Sequence, residues 1–183
     1  MKKQLWYVSF VIGLLLAVGA FAVSAHDRDD KVRARMSPSQ EVPAVSSQAS
    51  GDFEASIEEN QVTFKFTYEG LEGGNALFAH IHLGQKTANG GVMTFLCGGG
   101  TKPTPCPNGS GTVEGTITGA DILGLATQQV TAGTVDANAA FQEFTRALRN
   151  GTAYANLHTA ASPGGEIRGQ IRLDNGRHRG HDH

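Results

Sequence analysis

The strongest constraint on the fold is a two-residue hydrophobic period that returns in segment after segment. In 51–57, Phe53, Ala55 and Ile57 alternate with Asp52, Glu54 and Ser56. Glu59 and Asn60 supply a polar turn, after which Val62, Phe64, Phe66 and Tyr68 alternate with Thr63, Lys65 and Thr67. Successive side chains of a strand point to opposite faces, so two such runs across a turn predict a β-hairpin with one buried face. The same period marks 77–83, 112–118, 153–158 and 166–173, and a short apolar run covers 92–97. Short strands punctuated by Gly and Pro turns predict an all-β sandwich or barrel. The 24 glycines among 183 residues argue against long helices. They carry no three-residue period, which removes a collagen.

One stretch departs from this pattern. Phe141, Phe144 and Leu148 fall at i, i+3 and i+7, the spacing of a helical stripe. Asp136 is placed to cap its start, Arg146 and Arg149 suit its C-terminal end, and Gly151 can adopt the left-handed conformation that stops it. Its aromatic face is expected to close one open end of the sandwich, with a ligand pocket as the alternative. A second short turn of helix is expected within 121–127.

The first 25 residues read as a signal peptide. Lys2 and Lys3 precede an almost wholly apolar stretch from Leu5 to Val23, and Ala22, Ser24 and Ala25 suit a cleavage site. An uncleaved anchor is the alternative reading, because the apolar run nears spanning length. The mature protein is therefore expected to be exported to the periplasm, the cell surface or the medium. Without the leader it carries 13 basic and 17 acidic side chains. A net negative charge gives no electrostatic support to a nucleic-acid groove. The segment 26–32 is polar and expected to be flexible, 33–174 forms the folded domain, and 175–183 is an expected disordered, His-rich tail. The tail holds His178, His181 and His183. Cys97 and Cys106 flank a short loop rich in Gly and Pro. In an oxidising compartment they are expected to form a disulfide, whereas a thiol metal site would lack the Cys-x-x-Cys spacing.

The candidate ligands are histidines. His80 and His82 are two apart on a predicted strand, so they leave the same face with β-carbons roughly 7 Å apart. Two imidazoles can converge from there on one ion, and His158, at the end of a later strand, is the candidate third ligand. Imidazole suits Zn²⁺ and Cu²⁺, while Ca²⁺ and Mg²⁺ favour oxygen. Leu77, Ala79, Ile81 and Leu83 face the other way and should enter the core, leaving the histidine face outward or beneath a covering loop. The competing reading is that these are solvated polar positions. Glu166 and Arg168 form a similar question: a charged pair lining a site, or an exposed strand face worth at most about 1 kcal/mol. Arg168 could alternatively orient His158 or Glu41. If cleavage follows Ala25, His26 and the free amine could also chelate copper. Signatures for a Ser/His/Asp triad, a phosphate loop or paired catalytic carboxylates do not stand out, so no catalytic residue is assigned.

From about Arg35 to Leu173 the chain resembles the CHRD (chordin-type) domain, found alone in many exported microbial proteins. The resemblance rests on Gln40-Glu41-Val42-Pro43, Ala79-His80-Ile81-His82, Leu157-His158-Thr159 and the run Pro163-Gly164-Gly165-Glu166-Ile167-Arg168-Gly169-Gln170. It implies a Greek-key β-sandwich of immunoglobulin-like or Cu,Zn superoxide dismutase-like type, here with one or two short inserted helices. It also implies a link to copper through His80, His82 and His158. Together these lead to an exported protein that binds a transition metal, copper before zinc, for metal handling without turnover. Two alternatives remain. One is a metal-free extracellular interaction module using the 97–106 loop and the inserted helix. The other is a dismutase-like copper redox enzyme, which the chain supports least because it offers no His/Asp cluster for a zinc site.

Overall fold

The computed structural model describes residues 30–174. The expected signal peptide, His26 and the tail histidines lie outside the described residues. Among the described residues, nine strands form two antiparallel sheets. In chain order they are β1 (Asp30–Met36), β2 (Ser50–Ile57), β3 (Val62–Glu69), β4 (Ala76–Leu83), β5 (Gly91–Cys97), β6 (Gly111–Ile117), β7 (Ala153–Thr159), β8 (Ile167–Gln170) and β9 (Arg172–Leu173). The first sheet runs β6-β3-β2-β1-β9 and the second β5-β4-β7-β8. The chain leaves the first sheet after β3, makes the β4–β5 hairpin in the second, and returns as β6 to pair with β3. This crossing is the topology expected of a Greek-key sandwich.

The alternation dictates what the sheets bury. The predicted hairpin is β2–β3, with Phe53 opposite Phe66, Ala55 opposite Phe64 and Ile57 opposite Val62. These residues join Val32, Ala34 and Met36 of β1 in the core. Facing them are Ala79 and Ile81 of β4, Ala155 and Leu157 of β7, and Ile167 of β8, all fully buried. Leu77 and Leu83, expected in the same row, stand near the ends of β4; Leu77 is 40% exposed and Leu83 half-buried.

Two boundaries differ from expectation. β1 starts at Asp30, inside the segment expected to be flexible up to residue 32. Val32 pairs with Ala55 and is buried, and Asp30 Oδ2 receives the Arg149 Nε hydrogen bond at 2.7 Å, so pairing and packing extend to the strand's first residue. The strand expected over 166–173 is divided. β8 ends at Gln170, Ile171 is buried, and β9 pairs with Val32 and Arg33 in the other sheet.

The helix α1 (Ala137–Arg149) forms as read. Asp136 Oδ1 accepts from the N–H groups of Asn138 and Ala139, both at 3.0 Å. Gly151 has φ +67°, which ends the helix. Phe141, Phe144 and Leu148 are buried, and α1 packs on β9, β1 and the 3-10 turn Gly119–Asp121. A second 3-10 turn spans Ala126–Gln128, so the short helix expected in 121–127 resolves into two separate turns.

Cys97 at the end of β5 is bonded to Cys106. Closing so short a loop restricts the unfolded chain, so the Cys97→Ser/Cys106→Ser variant is expected to lose about 2–3 kcal/mol in urea unfolding. An unchanged midpoint would mean that the loop contributes nothing. Among the described residues, no helix is long and apolar enough to cross a membrane.

Candidate metal centre

The three body histidines meet on the outer face of the second sheet. β4 and β7 are hydrogen-bonded neighbours, with Phe78 opposite His158 and His80 opposite Asn156. One ligand nitrogen from each of His80, His82 and His158 lies within 4.8 Å of the others. Two metal–nitrogen bonds of about 2 Å span at most about 4 Å, so the set would have to close by roughly 1 Å to share one ion. Register irregularities between β4 and β5 fall at Ala79/His80 and Ile81/His82. Such bulges re-aim side chains, and they are common beside functional sites.

The histidine face is covered by loops, and all three rings are buried. His82 Nδ1 lies 2.8 Å from the Gly90 carbonyl and His158 Nδ1 lies 2.9 Å from the Pro163 carbonyl. A carbonyl only accepts, so both Nδ1 atoms carry the proton and both Nε2 atoms keep a lone pair. Those two Nε2 atoms, together with His80 Nδ1, are buried without any hydrogen-bond partner. Buried polar atoms in native proteins are almost always satisfied, and an orphan costs about 1–3 kcal/mol. Three neighbouring rings that each keep an orphan nitrogen, two of them oriented by carbonyls, could hold a metal ion, with those carbonyls as outer support. Aromatic side chains wall it: Phe78 stacks on His80 at 5.3 Å between centroids, and Phe95 meets His80 edge-on at 5.2 Å.

The electrostatics keep these rings neutral. Burial, reinforced by the facing His82 and His158 rings, pushes His80 down to about 2. Burial also takes His82 down to about 4, against the opposing pull of the Gly90 carbonyl. His158 is lowered by burial despite its bond to Pro163. Neutral imidazole is the form that binds metal.

A pH dependence follows. Between about 6.5 and these depressed values the unfolded chain binds protons that the folded one refuses, so metal-free stability falls as pH drops through that window. Glu41 acts oppositely. Burial raises it to about 7 against the opposing effects of Arg168 and Asn156, so its contribution grows as pH falls from about 7 to 4.5. Three imidazoles outweigh one carboxyl. Urea unfolding of metal-free protein is expected to show a lower midpoint at pH 5 than at pH 7.5; a flat profile would contradict the buried neutral rings.

Glu166 and Arg168 are each only 1% exposed, which overturns their reading as a solvated strand face. They do not pair with each other. Glu166 accepts four hydrogen bonds, from the Ser47 and Thr159 hydroxyls and the N–H groups of Glu72 and Gly73. Burial alone would raise its carboxyl, but these donors hold it below the ordinary value. Arg168 donates to the Gln85, Ala88 and Asn89 oxygens, and its guanidinium lies 3.4 Å above the Tyr154 ring.

Several supporting residues were not singled out from the sequence. Tyr154 stacks on His82 with centroids 4.5 Å apart and planes 6° from parallel. Asn156 Nδ2 donates to Glu41 Oε1 at 2.6 Å, tying the 37–48 loop over the sheet. Gly165, at φ +123°, lies beneath that carboxylate; a Cβ there would approach Glu41 Oε1 to 2.6 Å. The alternation already put Tyr154, Asn156 and His158 on one face, which was the available signal.

The CHRD domain family model matches residues 32–171. No curated protein and no solved structure matches the chain.

Proposed function

The chain belongs to the CHRD-domain family, and within it we propose an exported protein that binds one transition-metal ion through His80, His82 and His158. The observation that carries this reading is three buried imidazoles whose ligand nitrogens lie within 4.8 Å of one another, each ring keeping a buried nitrogen without a hydrogen-bond partner. An all-imidazole set suits copper or zinc and not Ca²⁺ or Mg²⁺, and copper ranks first in intrinsic affinity. A bound ion would supply Lewis acidity or, for copper, one-electron chemistry; the three rings would hold it and the surrounding aromatic walls would limit water. Metal handling without turnover is the role proposed for such a centre. Export is supported by the leader-like residues 1–25 and by the Cys97–Cys106 disulfide.

The inserted helix gives little support to a metal-free interaction module, because Phe141 and Phe144 are buried in the core. Metal analysis and titration calorimetry with Cu²⁺ and Zn²⁺ test the proposal. The purified protein is expected to bind one equivalent, and the His80→Ala/His82→Ala/His158→Ala variant none. Equal retention by both proteins would refute the site.

A further inference from the structure

Arg168 is the largest of the fully buried side chains, and its side-chain hydrogen bonds all go to one loop. Its Nη2 donates to the carbonyls of Gln85 and Ala88, both at 2.8 Å, and its Nη1 to Asn89 Oδ1 at 3.1 Å. The 84–90 loop, so clamped, ends at Gly90. The Gly90 N–H donates to the Tyr154 hydroxyl at 3.2 Å, and the Gly90 carbonyl accepts from His82 Nδ1 at 2.8 Å. The same guanidinium lies over the Tyr154 ring, and His82 stacks in parallel with that ring. Arg168 thus reaches His82 by two routes: through the loop to its Nδ1–H, and through the aromatic stack to its ring plane.

We propose that Arg168 is a positioning residue of the metal centre, clamping the 84–90 loop so that the Gly90 carbonyl holds His82 with Nε2 free for the ion. This rests on the three-histidine site proposed above. A planar fork that serves three oxygens while lying on a ring is a task for Arg, and a Lys ammonium cannot reproduce it. Metal-ligating histidines depend on such supporting bonds, whose loss costs about 10–100-fold in affinity.

The test compares the parent, Arg168→Met, Arg168→Lys and the core variant Phe144→Leu. Two readouts are used: the Zn²⁺ dissociation rate, and the His82 tautomer from long-range ¹H–¹⁵N correlations of metal-free protein. Both Arg168 variants are expected to release Zn²⁺ about 10–100-fold faster and to lose the single Nδ1–H form of His82. Phe144→Leu, which destabilises the fold from a distance, is expected to change neither. Should Arg168→Met fail to fold, Asn89→Ala/Tyr154→Phe cuts the clamp from the loop side and is expected to speed release in the same direction. The proposal is overturned by folded Arg168 variants with unchanged tautomer and release. It is equally overturned if Phe144→Leu shifts both readouts as far, or if the loop-side variant changes neither. The tautomer is read without metal, so absence of Zn²⁺ binding by the parent would defeat the metal site while this readout still decides the clamp.

Discussion

Replacing His80 by leucine is expected to abolish metal binding and to leave the metal-free domain as stable as the parent, or about 1–2 kcal/mol more stable. His80 Nδ1 is buried without a partner, so leucine removes an unsatisfied polar atom at the cost of little packing. A histidine kept for structure behaves oppositely, since its loss breaks hydrogen bonds and leaves their partners orphaned. With metal the ranking reverses. At a free concentration 100 times the dissociation constant, a ligand stabilises the folded state by about 2.7 kcal/mol, a rise of roughly 5–10 °C in Tm for a domain of this size. The parent should show that rise with Cu²⁺ or Zn²⁺ and His80→Leu should not. Thermal scans of both proteins, each with chelator and with metal, check the four values. A large loss of metal-free stability in His80→Leu would mark the trio as structural.

Glu166→Ala is expected to be among the most damaging single changes, costing about 3–5 kcal/mol. The carboxylate gathers two hydroxyls and two backbone N–H groups from three separated parts of the chain. Truncation leaves these donors facing a buried cavity, and each unsatisfied group costs about 1–3 kcal/mol before relaxation and water entry. Glu166→Gln should cost less, about 1–3 kcal/mol, because the one hydroxyl that faces the new –NH2 can turn to accept from it, leaving a single backbone N–H opposed. The folded carboxyl lies below its ordinary value, so its contribution is present above about pH 4.5 and lost as pH falls further. Urea unfolding at pH 7 and pH 3.5 checks both points. The gap between parent and Glu166→Ala should narrow at the lower pH; a gap below 1 kcal/mol at pH 7 would mean that water replaces the carboxylate.

Much of this structure was legible from residue types alone. The alternation in 51–68 gave the β2–β3 hairpin and its core residues, and the 3–4 spacing of Phe141, Phe144 and Leu148 gave α1. His80 and His82 had to share a face, and the family-like blocks pointed to His158 as their third member. The weakness lay in what covers a polar face. Period-two alternation separates two faces of a strand without saying whether the second meets water or another part of the chain. Glu166 and Arg168 therefore admit a solvated reading, although both are buried, bonded to Ser47, Glu72 and Gly73 in one case and to the 84–90 loop in the other. That coverage depends on long-range bonds such as Asn156 to Glu41 and Arg168 to Gln85, which no local pattern encodes. The corner at Ile171 was hidden for a related reason, because 166–173 alternates regularly through the point where the strand changes sheet.

The outer face of the second sheet thus holds two arrangements with different energetics. Around Glu166 every buried polar atom of the carboxylate is satisfied, and the group locks neighbouring loops. Around His80 the nitrogens are left open at a cost in stability, as expected where a protein reserves donors for a ligand.

X-ray absorption spectroscopy of the copper-loaded protein tests this account most directly. Scattering from three imidazole rings with nitrogens near 2 Å is predicted, and it should be lost in the His80→Ala/His82→Ala/His158→Ala variant. A spectrum with fewer than three imidazoles, or one unchanged by that substitution, would contradict it.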